Sequence, residues 1–162
     1  MRTRWWALLL GTVLIAGCGP RPFTSERAAG VDRDVRAFAQ AVALDVTKEG
    51  PLAWPKYLDG SPSFFLAANG QLVFREGASV AAGMRSFASA IPHVELHWGD
   101  DLRVDPLAPD LAVMAASYRE TLVSTNGSRT EQSGFFTGTV EYRDGRWQFR
   151  NQHWSVPGPP VR

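Results

Sequence analysis

Four polar side chains that could bind a ligand or transfer a proton recur at a spacing of two residues. Tyr118 and Glu120 lie in one long apolar segment, and Asn151 and His153 lie in another near the end of the chain. Side chains two residues apart project from the same face of a β-strand. A carboxylate or an imidazole can act as a general acid or base, and a phenol can stabilise a developing oxyanion. The spacing therefore predicts a small polar cluster on one face of a sheet.

The polarity of the last strand predicts the direction of Asn151 and His153. One face carries these two residues with Trp147 and Phe149, and the other carries Gln148, Arg150, Gln152 and Trp154. Because the more polar face of a strand usually meets water, we expect Asn151 and His153 to point into the domain.

Each residue of this cluster also has a purely structural interpretation. His153 can be a core or rim histidine that bonds a neighbour. Glu120 can be a solvated residue at the rim of the sheet, because burial of an unpaired carboxylate is costly. Tyr118 can simply pack in the core. An enzyme would use His153 or Glu120 as the acid or base and Tyr118 as the oxyanion donor.

Aromatic residues elsewhere could form the walls of a cavity around this cluster. Trp54 and Tyr57, in a short segment interrupted by Pro55, could form its mouth, and Phe136 and Trp98 could line it. An apolar, aromatic space with a few polar groups is the usual composition of a small-molecule site. The alternative is that these rings pack against each other and fill the cavity.

The composition gives no support to metal, cofactor or nucleic-acid chemistry. Three histidines and one cysteine are too few for a cluster of three or four zinc ligands. The sequence has no glycine-rich phosphate loop and no GxSxG motif. Its formal net charge is +1, without a basic run. We therefore predict no metal, no cofactor and no nucleic-acid partner.

The single cysteine, Cys18, ends an apolar segment that follows Arg2 and Arg4. This layout is typical of a secretory signal peptide, and the apolar run is too short to cross a bilayer. The sequence LIAGC, residues 14–18, resembles the lipobox of bacterial lipoproteins. The resemblance implies that the Cys18 thiol receives diacylglycerol, that cleavage occurs before it and that the new amino group is acylated. The membrane is then a partner through Cys18.

This leader also predicts the compartment. We expect a location in the bacterial cell envelope, with the domain in the periplasm or otherwise outside the cytoplasmic membrane. Gly19 replaces the aspartate that retains lipoproteins in the inner membrane of enterobacteria, which favours the outer membrane. Loss of Arg2 and Arg4 changes the formal net charge from +1 to −1.

Composition divides the chain into four parts. We predict a signal peptide over residues 1–17, a lipidated cysteine and tether over 18–30, one domain over 31–157 and a loose proline-rich tail over 158–162. The domain is long enough to bury a substantial core, which matters because it has no second cysteine for a disulfide.

Helical periodicity comes first in this domain and β periodicity follows. Apolar spacing predicts a helix from Asp32 to about Lys48, a short second helix broken at Pro55, and a helix over 79–91, with an Asn69-Gly70 hairpin between the last two. From His93 onward the period is two, with long strands over 111–123, 133–143 and 146–156. This order predicts an α+β fold with N-terminal helices packed on a curved antiparallel sheet.

The motifs after the last helix resemble a known family. They are Pro92-His93-Val94, Asp110 at the start of a long strand, Asn126-Gly127, Thr137, the run 144–148, and His153 with Ser155. This set resembles the association domain of calcium/calmodulin-dependent kinase II and its bacterial relatives. The element order resembles the cone-shaped nuclear transport factor 2-like fold, which ketosteroid isomerase and SnoaL-type polyketide cyclases share. The resemblance implies a cone and a homodimer.

The resemblance leaves several functions open, because the cone hosts binding, enzymatic and oligomerisation domains. Relatives with an anion-binding pocket carry inward arginines where this chain has Tyr118 and Gly138, and Arg119 should face the other side. The preferred hypothesis is a domain that binds a small apolar or amphipathic molecule. The alternatives are a homo-oligomeric interaction domain with a filled pocket, and a ketosteroid isomerase-like or SnoaL-like acid–base enzyme.

Overall fold

The structure is a computed structural model that describes residues 23–158. The predicted signal peptide, Cys18 and residues 159–162 of the predicted tail lie outside the described residues. The helices, strands and core that the structure describes fall within 23–158, so a chain from residue 19 to residue 162 contains the whole described domain.

The first helix, α1, spans Ser25–Glu49 and begins earlier than the sequence predicted. Its N-cap is Thr24, whose hydroxyl accepts a hydrogen bond from the backbone N–H of Arg27 at 3.4 Å. Asp32, the predicted cap, lies inside the helix. The predicted tether is therefore wrong over residues 25–30, because a cap and helix-favouring alanines precede Asp32.

A 3₁₀ helix, Gly50–Lys56, follows α1 at the place where a short second helix was predicted. The residue after it, Tyr57, ties this segment back onto α1. The Tyr57 hydroxyl donates to the carboxylate of Asp45 at 2.7 Å, and its ring packs edge-on against Phe38. The chain therefore turns back along α1 before it enters the sheet. The next long helix, α2, spans Val80–Ala90, close to the predicted 79–91.

Seven strands form one curved sheet. They are β1 Phe65–Ala68, β2 Gln71–Phe74, β3 His93–Trp98, β4 Arg103–Ala108, β5 Leu111–Val123, β6 Arg129–Arg143 and β7 Arg146–Ser155. The order is β2-β1-β7-β6-β5-β3, and β4 pairs with the first half of β5 while β3 pairs with the second half. The predicted α+β class and curved sheet are confirmed.

Two features of the sheet differ from the sequence prediction. The sheet is mixed rather than antiparallel, because β1 runs parallel to β7. The strand β4 was not predicted, and it contains Pro106. Proline lacks a backbone donor and is tolerated at a sheet edge, which is where β4 lies.

The helix α1 covers the inner face of the sheet and is fixed to its edge strand. Its buried stripe consists of Val31, Val35, Phe38, Ala39, Val42 and Val46. The indole N–H of Trp98 donates to the carbonyl of Ala39 at 2.8 Å, and the Thr47 hydroxyl accepts from the backbone N–H of Leu96 at 3.0 Å. Since β3 is an edge strand, Thr47 satisfies a donor that would otherwise lack a strand partner.

A β-bulge in β7 reverses the predicted direction of its last residues. Val140 of β6 pairs with Phe149, and Thr139 pairs with Asn151, so Arg150 is an extra residue. After the bulge, Gln152 is buried while His153 is exposed. The predicted inward direction of Asn151 and His153 is therefore wrong.

Gly134 allows β6 and β7 to meet beside Tyr118. A Cβ atom at this position would lie 1.9 Å from the Ser155 carbonyl oxygen and 2.9 Å from the Tyr118 ring. The first contact is with backbone, so no side-chain rotation relieves it. At Gly60, in contrast, a Cβ would meet nothing within 4 Å.

We predict that Gly134→Ala destabilises the domain by about 2 kcal/mol, in the usual range for overpacking. Gly60→Ala is the matched control and should change stability by less than about 0.5 kcal/mol. Urea denaturation followed by circular dichroism measures both. Equal stability of the two variants would contradict the close approach of β6 and β7 at Gly134.

Candidate functional site

A cavity of about 570 Å³ lies between α2, the β1–β2 hairpin and the ends of β5, β6 and β7. The 3₁₀ helix contributes Trp54 to its wall. The volume falls within the range of sites that hold small molecules.

The walls of the cavity are largely apolar and aromatic. Trp54, Phe74, Met84, Phe87 and Trp154 all line it. The rings of Trp54 and Trp154 meet edge to face with centroids 5.7 Å apart. Phe87 lies on the predicted apolar face of α2, yet it is 39% exposed, because it borders the cavity instead of the core. These walls suit an apolar or aromatic molecular body.

One part of the cavity is polar. Glu120 on β5 and Gln132 on β6 lie directly opposite each other, and the Gln132 amide donates a hydrogen bond to the Glu120 carboxylate. Burial raises the pKa of Glu120, and the hydrogen bond from Gln132 offsets only part of this effect. Glu120 is therefore a partly desolvated carboxyl group, not the solvated rim residue of the structural alternative.

Tyr118 lies two residues before Glu120 and shares its inward direction. The side chain is buried, and the cavity reaches it. Burial raises the pKa of the Tyr118 phenol, and the nearby charge of Glu120 raises it further. The phenol is therefore a neutral donor at the polar part of the cavity.

Gln152 contributes a buried amide beside Trp154. Its side-chain oxygen accepts a hydrogen bond from the Trp154 indole N–H at 3.2 Å, which turns the amide NH₂ group away from the indole. Gln152 is only 1% exposed, and within residues 23–158 its NH₂ group has no hydrogen-bond partner. The wall of the cavity thus contains an unused donor.

Among the described residues that line the cavity, Glu120 is the one acidic or basic side chain of the Asp, Glu, Lys, Arg and His types. Glu120 is an acid, and none of the described residues that line the cavity is arginine, lysine or histidine. The pKa of Glu120 is governed by burial and by Gln132, without a nearby cation. The site therefore presents a carboxyl group that has no counter-ion from the described part of the protein.

Three of the predicted pocket residues line the cavity and the polar pair from β7 does not. Trp54, Tyr118 and Glu120 contribute to it. Asn151 instead accepts a hydrogen bond from the Thr139 backbone N–H at 3.3 Å, and His153 is exposed on the other side of the sheet. Of the three residues predicted for an acid–base enzyme, Glu120 and Tyr118 are brought together and His153 is not.

The remaining three predicted pocket residues pack elsewhere. Tyr57 bonds α1 and does not form the mouth. Trp98 and Phe136 join Trp154 in a cluster, with ring centroids 5.1 Å apart for Trp98 and Phe136 and 4.7 Å apart for Phe136 and Trp154. None of these three residues lines the cavity beside α2, so their predicted use as its walls is wrong, although Trp98 does line a second hollow.

The sequence prediction missed Gln132, Gln152, Trp154 and the lining residues of α2 and the hairpin. One signal could have identified part of this set. Trp154 was assigned to the solvent face of β7, where a large aromatic side chain is out of place. A bulge between Phe149 and Trp154 would have removed that conflict.

A second hollow, of about 460 Å³, lies near the same strand ends. It is lined by two predicted pocket residues, Trp98 and Tyr118, and by outer-face residues such as Arg119, Ser133 and Phe135. Within residues 23–158 no cluster of potential metal ligands is found. In that same range no helix is long and apolar enough to cross a membrane.

We predict that burial of Glu120 makes stability depend on pH. The pKa of Glu120 in the folded state is raised above its usual value of 4.5. The group therefore adds fully to the free energy of unfolding below pH 4.5, and this contribution is lost as the pH rises through the folded-state pKa. The free energy of unfolding of the wild type, minus that of Glu120→Gln, should therefore decrease from about pH 4 to pH 7. Urea denaturation at each pH measures it, and a difference that is constant or rises with pH would contradict the burial of this carboxyl group.

Comparison of sequences does not assign the chain to a family. No protein-family model matches the sequence. No curated protein matches it either.

Solved structures do resemble this chain in fold. A protein assigned as a scytalone dehydratase from Novosphingobium aromaticivorans superposes with a TM-score of 0.72 at 10% identity, over 86% of this chain and 94% of that chain. A protein assigned as a calcium/calmodulin-dependent protein kinase II association domain, from Xanthomonas campestris, gives a TM-score of 0.64 at 22% identity, over 80% of this chain and 89% of that chain. A nuclear transport factor 2-like superfamily protein from Salmonella enterica gives 0.65 at 13% identity, over 85% and 95%. At these identities the likeness concerns the fold, and this chain has the nuclear transport factor 2-like fold.

Proposed function

We propose that this protein is a cell-envelope lipoprotein whose cone-shaped domain binds a small amphipathic molecule. The observation that carries the proposal is the cavity beside α2, with aromatic walls and one polar part at Glu120, Gln132 and Tyr118. An apolar body would contact the walls while a polar group meets the carboxyl, amide and phenol.

Two arguments favour binding over the alternatives. The acid–base enzyme keeps Glu120 and Tyr118 but has only one of its two candidate acid–base groups, because His153 lies on the other side of the sheet from Glu120. The interaction domain requires a filled pocket, whereas the space beside α2 is open. Homodimerisation stays a prediction, and the exposed Phe135 on the outer face of β6 is compatible with it.

The proposed anchor precedes the first residue of α1, whereas the cavity lies near the last turns of this helix. The tether from Cys18 leads into the helix at Ser25, whereas Leu96, which pairs with Glu120, is bonded to Thr47 near the other end. At 1.5 Å per residue these ends are on the order of 30 Å apart. A lipid on Cys18 would hold the domain by the end away from the cavity, and the ligand would enter from the envelope space.

Blocking the cavity tests the binding proposal. Ser86 is exposed on α2 and lines the cavity, so Ser86→Trp should fill its opening without disturbing the core. Ala81→Trp, on another face of α2, is the matched control. With 2-naphthylmethanol as an uncharged probe, isothermal titration of residues 19–162 should give one site per chain. Ser86→Trp should weaken it about tenfold or more, a loss of about 1.4 kcal/mol, and Ala81→Trp should leave it unchanged.

Two results would contradict the binding proposal. One is a folded wild type that does not bind the probe. The other is a Ser86→Trp variant that binds as tightly as the wild type. His153→Ala serves as a further control and should have no effect, because His153 lies on the other side of the sheet.

Removal of the thiol tests the anchor. We predict that Cys18→Ala in the full chain abolishes lipid attachment, because diacylglycerol transfer needs the thiol, and moves the protein out of the membrane fraction. Intact mass and detergent phase partitioning measure both effects. A variant that keeps the wild-type mass and stays in the membrane fraction would contradict the anchor.

A further inference from the structure

We propose that the molecule bound in the cavity is an organic cation, with an ammonium group at Glu120 and an apolar or aromatic body against the walls. This inference rests on the proposed binding function and names the chemical class of its ligand. It follows from the placement of one carboxyl group among aromatic rings, without a basic side chain among the lining residues.

The carboxyl group of Glu120 lacks a counter-ion on every side that the structure describes. From β3 the paired residue is Leu96, and from β6 it is Gln132. From α2 the lining residues are Gly83, Met84, Ser86 and Phe87, from β7 they are Gln152 and Trp154, and the hairpin side likewise contributes no charge. The one other titratable side chain that lines the cavity is the phenol of Tyr118.

The nearest strands do carry charges, but these are paired elsewhere or face away. On β6, Arg129 donates to Glu95 of β3 at 3.0 Å, and neither residue lines the cavity. Arg85 on α2 is exposed and is also absent from the lining. A ligand cation would therefore be the first positive charge that Glu120 meets in a partly desolvated space, where ionic attraction is stronger than in water.

The aromatic walls favour the same ligand. Trp54, Phe74, Tyr118 and Trp154 line the cavity, and aromatic rings attract ammonium groups that approach their faces. Tryptophan gives the strongest such attraction, and the cavity has two. A carboxylate among aromatic rings thus offers an ammonium group both a counter-ion and a favourable surface.

Other charge classes fit less well. An anion would bring a second negative charge beside Glu120 with no arginine, lysine or histidine to meet it. An uncharged ligand could bind the walls, but it would leave Glu120 without a counter-ion. The polar part of the cavity therefore selects positive charge.

Three probes with one ring system and different charges test the inference. They are trimethyl(2-naphthylmethyl)ammonium, 2-naphthylmethanol and 2-naphthoate, titrated into residues 19–162 at neutral pH. We expect the cation to bind at least about tenfold more tightly than the alcohol. The carboxylate should bind more weakly than the alcohol. Because the quaternary ammonium cannot lose a proton, its charge is the same at every pH.

Two variants separate the charge of Glu120 from general effects. Glu120→Gln should remove the preference for the cation over the alcohol. Glu131→Gln removes the same charge from an exposed position next to Gln132 and should have no effect. In the wild type, affinity for the cation should fall as pH falls, since protonation of Glu120 removes the counter-ion.

The outcomes distinguish this inference from the binding proposal. If the alcohol binds as tightly as the cation, or if Glu120→Gln keeps the preference, the cation inference is overturned and the binding site stands. If neither the alcohol nor the cation binds to folded protein, both proposals fail. Retention of the preference at a pH where Glu120 is protonated would also overturn the inference.

Discussion

The bulge at Arg150 is the constraint on which the arrangement of this domain depends. Before the bulge, the backbone N–H of Phe149 donates to the Tyr57 carbonyl at 2.7 Å, and the Phe149 carbonyl accepts from the Asp59 N–H at 2.9 Å. After it, β7 pairs with β1 in parallel. Two successive chain segments, residues 57–59 and β1, therefore pair with the same edge of β7. The extra residue lies between them and shifts by one residue the side chains of β7 that face the interior. Its consequence is that Gln152 and Trp154, instead of Asn151 and His153, face the interior.

This inversion determines the chemistry of the interior. Trp154 contacts Trp54, Trp98, Tyr118 and Phe136 through its ring, and so it joins the filled part of the cone to the open cavity. A histidine in its place would have given the cavity a second candidate base besides Glu120. The cavity is instead lined by one carboxyl group, one phenol, one hydroxyl and three amides among aromatic rings. That composition suits recognition of a ligand with an apolar body and a polar group.

The sequence predicted the parts of the fold that depend on local periodicity. The long strand β5 and the direction of Tyr118 and Glu120 follow from strict alternation, and α2 follows from its apolar stripe. The direction of β7 could not be predicted in this way, because a bulge depends on the partners of a strand and leaves little trace in its own sequence. The parallel position of β1 likewise results from a long-range pairing. The cavity was predicted only in part. Its lining residues on β5 were predicted, and those on α2, the hairpin and β7 were not.

The central claim is that a ligand occupies the cavity with its polar group at Glu120. A crystal structure of residues 19–162 with trimethyl(2-naphthylmethyl)ammonium tests it most directly. We expect the naphthalene ring between Trp54, Trp154 and α2, with the ammonium group in contact with the Glu120 carboxylate. Ordered probe at the second hollow near Arg119 and Phe135, with the cavity beside α2 empty, would contradict it.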